Sequence, residues 1–193
     1  MKIGVLALQG DFREHLDSLK QCGVEPLLVK TQSEIEAIDA LVIPGGESTT
    51  IAKLARSFEL FDLIVNRIRS GMPTYGSCAG MILLSNRVED AALGQETFGG
   101  IDMTVRRNAF GRQVESFERE IEMSGLAGPP LNGIFIRAPF VESVGAGVEV
   151  LASVDFHGTT HPVAVKQEQL LATSFHPEIT GDHRVHQFFL DSI

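Results

Sequence analysis

The chain has 193 residues, of which 44% are hydrophobic, enough for one domain over residues 1–193 with a buried core. An excess of 25 acidic over 16 basic residues gives a formal net charge of −9, which argues against nucleic acid and membrane surfaces as partners. Only two cysteines occur, Cys22 and Cys78, too few for a disulfide scaffold. With neither a signal-peptide core nor an apolar run of about 18 residues, we expect a soluble, cytoplasmic protein.

The first part of the chain alternates strand and helix patterns. Ile3 to Leu8 is a continuous apolar run, typical of a strand covered on both faces. Asp11 and Glu14 resemble a helix-capping pair, and Gly23 predicts the end of that helix. Further segments predict strands at Pro26 to Lys30, Ala40 to Pro44 and Pro73 to Gly76, a short helix at Ser33 to Ile38, and a helical pattern from Ile51 to Ile68 broken near Glu59. The alternation predicts a parallel sheet with right-handed crossovers.

The pattern changes from about Ile101, where strands follow one another with little helix between them. The predicted strands are Asp102 to Arg107, Gln113 to Phe117, Ile134 to Arg137, Glu149 to Val154, Pro162 to Val165 and Leu170 to Phe175. We expect them to form an antiparallel extension or added strands on the same sheet. A closing helix is predicted from Asp182 to about Leu190.

The segment Gly76 to Gly80 places one thiol, Cys78, between small residues where a predicted strand turns into a helix. This is typical of a nucleophile elbow, in which a sharp turn lifts the nucleophile out of the sheet and glycines relieve crowding. A helix that begins after Cys78 would also favour its thiolate. The alternative is a structural cysteine in a glycine-rich turn. Cys22 lies on the apolar face of the first helix, and we interpret it as a core residue.

The tripeptide His176, Pro177, Glu178 follows an apolar strand, at the carboxyl end where open α/β sheets bind ligands. Residues two apart in an extended segment project to the same side. Glu178 could therefore hold the His176 ring and leave its other nitrogen facing a thiol. The alternative is a chance turn at the surface.

Two further histidines, His183 and His186, share one face of the predicted last helix. In principle they could ligate a metal ion, but the pattern suggests no third ligand. We therefore interpret both as solvent-exposed side chains and predict no metal site.

The turn Pro44 to Thr50 ends another predicted strand and leads into a helix. Its two glycines could present backbone N–H groups to a developing oxyanion. A phosphate-binding loop is the competing interpretation, but the spacing lacks the Lys and Ser/Thr of a P-loop. A tight turn with Ser48 as the helix N-cap is a structural interpretation that can hold at the same time.

Taken in order, these motifs resemble those of class I, triad-type glutamine amidotransferases, a family with a flavodoxin-like α/β fold. Six segments together resemble, from end to end, the glutaminase subunits of pyridoxal 5'-phosphate synthases. They are Leu8 to Gly10, Gly45 to Thr50, Gly76 to Gly80, Arg107 to Gln113 with Ser116 to Glu118, Phe135 to Pro139, and Thr173 to Glu178. The resemblance implies a mostly parallel central sheet flanked by helices, with additional antiparallel strands. One departure is conservative: Ser77 stands where the family commonly has threonine.

The resemblance also implies a reaction. Cys78 would be the nucleophile, His176 the general base and acid, and Glu178 the carboxylate that orients the imidazole. L-glutamine would be hydrolysed to L-glutamate and ammonia through a glutamyl thioester, without a cofactor. Ammonia would pass to a separate synthase subunit, in a large hetero-oligomer, that makes pyridoxal 5'-phosphate, which is vitamin B6.

By the same resemblance, a set of residues is expected to bind glutamine. They are Gly46, Glu47, Ser48, Arg107, Ile136 and Arg137. An arginine suits the α-carboxylate because its fork pairs with two oxygens. Backbone amides of Gly46 and Ala79 are implied to form the oxyanion hole, and Gln9 and Gly10 to face the partner.

Three other functions stay open at this point. A glutaminase serving a different synthase, such as that of histidine biosynthesis, would share the triad and differ in its partner. An inactive amidotransferase-like binding protein would be expected to lack a member of the triad. A cysteine peptidase or glutamyl-peptide hydrolase on the same fold is the third alternative.

Overall fold

The computed structural model describes residues 1–107, 116–156 and 158–193. The strands are β1 (Ile3–Leu6), β2 (Leu27–Val29), β3 (Ala40–Ile43), β4 (Thr74–Ser77), β5 (Ser85–Glu89), β6 (Ile101–Arg106), β7 (Phe117–Ile121), β8 (Leu131–Phe135), β9 (Phe140–Val144), β10 (Glu149–Phe156), β11 (Thr159–Gln167) and β12 (Leu170–Thr173). The α-helices are α1 (Phe12–Gln21), α2 (Gln32–Ala37), α3 (Ser48–Ser57), α4 (Phe61–Arg69), α5 (Ala79–Leu84) and α6 (Arg184–Asp191), and a 3₁₀ helix spans Pro177–Ile179. The predicted strand Gln113 to Phe117 and the family segment Arg107 to Gln113 lie partly outside the described residues.

A seven-stranded sheet in the order β10-β11-β12-β4-β3-β1-β2 forms the centre of the fold. From β12 to β2 neighbouring strands run parallel, whereas β10 and β11 extend the sheet in the antiparallel sense. The predicted α/β fold, with a parallel sheet and added antiparallel strands, is confirmed. The remaining described strands form two small separate sheets, β5-β6-β9 and β7-β8. The sequence pattern did not predict β5 and β9.

The inner parallel strands β1, β3 and β12 are buried on both faces, which explains their apolar runs. Along β3, Leu41 and Ile43 pack into one hydrophobic cluster while Ala40 and Val42 pack into the other. Burial of each large apolar side chain contributes roughly 1.5–3 kcal/mol. Within the described ranges, no helix is long and apolar enough to cross a membrane.

The structure bears on two predictions about helix ends. The predicted break near Glu59 is confirmed, since Glu59 adopts φ 58° between α3 and α4. The expected capping pair at α1 is wrong, because Asp11 precedes the helix without a capping hydrogen bond from its side chain. The Asp11 carboxylate is therefore not engaged by the backbone of α1.

Candidate active site

Cys78 occupies a strained turn between β4 and α5. Its backbone adopts φ 48° and ψ −101°, a conformation unfavourable for any residue but glycine, and its N–H donates to the Thr173 carbonyl at 2.8 Å. A Cβ at Gly76 would lie 2.5 Å from the backbone of Gly80, and one at Gly80 would overlap the Ile43 carbonyl. Both glycines are therefore required for the tight strand–turn–helix packing that the sequence predicts.

The His176 ring lies at the carboxyl end of β12, held by two carboxylates. Its Nδ1 is 2.6 Å from Oε1 of Glu178 and 3.0 Å from Oδ2 of Asp11. The expectation of an extended tripeptide is wrong, because Pro177 begins a 3₁₀ helix and Glu178 folds back onto the ring. The expected contact between the two side chains is nevertheless present. Both are almost fully buried.

Electrostatics favour a positive charge on this ring. Burial lowers the pKa of His176, but hydrogen bonds with Asp11, Cys78 and Glu178 outweigh it and raise the pKa to about 12. Burial alone would raise the pKa of Asp11. Its hydrogen bond to His176 and the imidazolium charge outweigh burial and hold this pKa well below its usual range. An imidazolium beside a thiol stabilises the thiolate, which is the nucleophilic form of cysteine.

Asp11, His176 and Glu178 also have ligand atoms within 4.8 Å of one another, close enough to surround a cation. Hydrogen bonds account for the same approach, and an imidazolium Nδ1 has no lone pair for a metal. The pair of histidines first considered as metal ligands does not join this cluster. Their expected solvent exposure is wrong for His186, which is fully buried.

A buried chain of side chains continues behind Glu178, and sequence reasoning missed it. His15 Nε2 lies 2.9 Å from Ser77 Oγ and 3.5 Å from Glu178 Oε1, and His15 Nδ1 lies 2.8 Å from His186 Nε2. Burial lowers the pKa of His186, and the neighbouring His15 and His183 lower it further. His186 is therefore neutral. No local pattern on α1 distinguishes His15 from an exposed residue.

Arg107 anchors the opposite side of the site. Its Nη2 donates to Glu47 Oε1 at 2.9 Å, and its Nη1 donates to Gln95 Oε1 at 2.8 Å and Thr49 Oγ1 at 3.2 Å. These three bonds hold the guanidinium, whose side chain is 13% exposed. Gln95 was not anticipated, because it lies in an irregular segment with no motif around it.

The turn before α3 is held by Gln9. Oε1 of Gln9 accepts from the Glu47 N–H at 2.8 Å, and a Cβ at Gly46 would lie 2.6 Å from the same oxygen. Glu47 is the N-cap of α3, since its carboxylate accepts from the Thr50 N–H at 2.7 Å. The interpretation of Ser48 as N-cap is therefore wrong by one residue.

Among the described residues, two cavities border Cys78. One of about 120 Å³ lies on the arginine side and is lined by Gly46, Glu47, Ser48, Cys78, Ala79, Ile82, Arg107, Ile136 and Arg137. The other, of about 260 Å³, includes Gln9, Asp11 and His176 in its lining. Every residue predicted to bind glutamine lines the first cavity. Gly10, which was predicted to face a partner, does not line this cavity and packs against the Gly45 backbone.

Arg137, one of these lining residues, has φ 45°. Such strain in a residue other than glycine is typical of functional sites. The preceding Ile136 carbonyl lies 3.9 Å from Cys78 Sγ, close enough to accept a weak hydrogen bond from the thiol. The two residues thus lie directly beside Cys78.

Comparison with known proteins gives concordant results. A model of the SNO glutamine amidotransferase family matches residues 5–193. Two relatives named pyridoxal 5'-phosphate synthase subunit PdxT, from Nocardioides sp. and Streptomyces griseus, are each 59% identical over 99% of this chain and 95% of their own length. A crystal structure of a glutamine amidotransferase is 47% identical, with a TM-score of 0.88, over 98% of this chain and 97% of that chain. PurLQS from Thermotoga maritima shares the fold, with a TM-score of 0.69 at 16% identity over 98% of this chain and 97% of its own. The chain belongs to the SNO glutamine amidotransferase family.

Proposed function

We propose that this chain is the glutaminase subunit of a pyridoxal 5'-phosphate synthase. The observation that carries the proposal is the Cys78 thiol on a strained turn, next to a His176 ring whose Nδ1 lies 2.6 Å from Glu178. The relatives named as subunits of that synthase support the choice of this synthase over the one of histidine biosynthesis. The presence of all three side chains argues against an inactive binding protein.

In the proposed reaction the Cys78 thiolate attacks the side-chain amide carbon of glutamine, forming an S–C bond while the carbonyl oxygen becomes an oxyanion. The His176 imidazolium gives its Nε2 proton to the leaving nitrogen, the C–N bond breaks, and ammonia departs from a glutamyl thioester. Water then attacks the thioester and gives one proton to His176. Breakage of the S–C bond releases glutamate and restores the thiolate–imidazolium pair.

Substrate recognition is assigned to the arginine side of Cys78. The guanidinium of Arg107 would bind the α-carboxylate, and the Glu47 carboxylate beside it supplies the opposite charge for the α-ammonium group. The N–H groups of Gly46 and Ala79 would hold the oxyanion, and loss of one such donor typically costs about 10²–10³ in rate.

The proposed partner is the synthase subunit, which would receive the ammonia within a large hetero-oligomer. Gln9 and Gly10 would face that subunit, because they follow β1 at the same sheet edge as Cys78 and His176. Since Gln9 bonds the Glu47 N–H next to the Gly45–Gly46 turn, a partner that moves Gln9 would also reset the oxyanion site. The two free cysteines fit a cytoplasmic location.

The test measures ammonia release from glutamine by the full chain, with and without the synthase subunit. We expect weak hydrolysis by the chain alone, a rise on addition of the subunit, and none from a folded Cys78→Ala variant. Cys22→Ala is the matched control and should keep activity, because Cys22 is only partly buried and its Sγ donates a hydrogen bond to the His183 carbonyl at 3.6 Å, away from Cys78. Hydrolysis by Cys78→Ala, or a preference for glutamyl peptides over free glutamine, would contradict the proposal.

A further inference from the structure

We propose that Asp11 is a positioning residue that, together with Glu178, holds the His176 ring in its catalytic orientation and protonation state. The inference rests on the proposed catalytic role of His176. Neither sequence pattern nor the implied triad assigns Asp11 to the reaction. Its basis is that the imidazole has one Nδ1–H and two carboxylate acceptors for it.

The two acceptors reach the ring from different parts of the fold. Glu178 follows β12 and lies 2.6 Å from Nδ1, whereas Asp11 follows β1 and lies 3.0 Å from the same atom. Both distances are within hydrogen-bond range, so the single N–H is shared. Two acceptors that converge on Nδ1 from different elements restrict rotation of the ring more than one acceptor would.

The position of Asp11 is that of a helix N-cap, where its side chain would ordinarily accept a backbone N–H of α1. It makes no such bond, and its carboxylate turns to His176 instead. Its own N–H donates to the Gly45 carbonyl at 3.3 Å, which ties the aspartate to the turn beside Cys78. A stabilising interaction for the helix is thus given up for a contact in the site.

Gly45 lacks a side chain, and this leaves room for the contact between Asp11 and His176. A Cβ there would overlap Cε1 of His176 and lie 2.9 Å from Oδ1 of Asp11. Any larger residue would separate the aspartate from the ring. The turn therefore packs against the Asp11–His176 pair as closely as backbone atoms allow.

The Asp11 carboxylate adds to the charges that surround the His176 ring. Cys78 and Glu178 face His176 directly, His15 on α1 faces Glu178, and Glu47 and Arg137 line the same cavity. The side chain of Asp11 is 21% exposed while that of Glu178 is 0% exposed, so Asp11 is the member of the pair nearer solvent. It adds the second negative charge that keeps the imidazolium protonated beside the thiolate.

The first measurement is kcat and KM for glutamine in the complex with the synthase subunit, for Asp11→Asn and Asp11→Ala. We expect kcat to fall by about tenfold, the equivalent of roughly one pKa unit, with little change in KM. Asp17→Asn is the matched control on the same helix, since its carboxylate is 75% exposed and pairs only weakly with Lys20. It should behave as the wild type.

A second measurement separates positioning from a structural role. In the Glu178→Gln background, the titration of His176 is followed by NMR of histidine labelled with ¹⁵N, with and without Asp11→Asn. We expect the added substitution to lower the midpoint by about 1 to 3 pH units, as for loss of a nearby opposite charge. Unchanged midpoint and unchanged kcat would overturn the inference.

The outcome is distinguishable from failure of the proposed function. If Cys78→Ala still hydrolyses glutamine in the same assay, the proposed function is wrong. If Cys78→Ala is inactive but the Asp11 variants match the wild type in both measurements, only the role of Asp11 is wrong. Asp11→Ala keeps the test decisive if Asp11→Asn does not fold.

Discussion

The two sides of Cys78 are built on different principles. On one side, which we call the acid–base wall, Asp11, His176 and Glu178 lie at the ends of buried parallel strands and are joined by short bonds. On the other, the arginine wall, Arg107 pairs with Glu47, whose side chain is 40% exposed. Burial strengthens charge interactions and makes unpaired groups costly, whereas water can replace a partner at an exposed site. Substitutions on the two walls should therefore affect different kinetic parameters.

The largest effect is expected for Glu178→Gln on the acid–base wall. The amide keeps the size of the side chain but removes the charge that stabilises the imidazolium, and it can present an N–H to Nδ1. We expect kcat for glutamine to fall by about 10²–10⁴ while KM changes little. Steady-state ammonia release in the complex with the synthase subunit measures both.

Glu168→Gln is the matched control, because this glutamate is exposed in the turn between β11 and β12. It should leave kcat unchanged. A similar kcat for Glu178→Gln and Glu168→Gln would remove the distinction between the buried wall and the exposed surface.

A smaller effect, on a different parameter, is expected for Arg107→Ala on the arginine wall. Loss of a charged hydrogen bond to the α-carboxylate should raise KM for glutamine by roughly 10- to 100-fold. Alkylation of Cys78 by iodoacetamide, which has no carboxylate, should proceed at the wild-type rate. The two rates are measured on the same preparation.

Arg87→Ala controls for loss of a surface arginine, since Arg87 pairs with Asp102 at 2.7 Å and is 51% exposed. It should change neither rate. An equal loss of turnover and alkylation in Arg107→Ala would instead indicate that Arg107 supports the fold through Glu47 and Gln95.

The sequence allowed both walls to be predicted in part. Cys78 and His176 follow segments that were predicted as strands and run parallel in the sheet, and the carboxyl ends of such strands meet at one edge. Gln95 and Asp11 were missed as members of the site for a common reason. Each acts through a contact with a residue far along the chain, and Asp11 lies 165 positions from His176. Local patterns report periodicity and caps, so Asp11 was interpreted as a capping residue.

The strands β5 and β9 of the small sheets were missed for a related reason. The strand β5 alternates poorly between buried and exposed positions, and β9 is buried over only part of its length. Short strands that pair in small sheets carry little periodic signal of their own. Whether such a segment forms a strand depends on the residues with which it pairs, and these lie elsewhere in the chain.

The smallest expected effect is on stability, behind the acid–base wall. His186 is buried and neutral, with its pKa below the ordinary value of 6.5. Below pH 6.5 the unfolded chain therefore binds a proton at this position that the folded chain does not. Stability should fall as pH decreases from 6.5, by at most about 1.4 kcal/mol per pH unit from this residue. His176 adds nothing in that range, because its raised pKa leaves it protonated in both states; its stabilising contribution is lost only as pH rises from 6.5 toward about 12.

The measurement is urea unfolding at pH 7.5, 6.5 and 5.5 for the wild type and His186→Gln. The glutamine can still bond to His15 but does not titrate, so its stability should decrease less between pH 6.5 and 5.5 than that of the wild type. His161→Gln is the control, since His161 is only partly buried on β11 and should keep the wild-type slope. Parallel plots of unfolding free energy against pH for the wild type and His186→Gln would mean that the buried histidine is not the source of the acid sensitivity. The difference in burial between the two walls would then have no measurable effect on the pH dependence of stability.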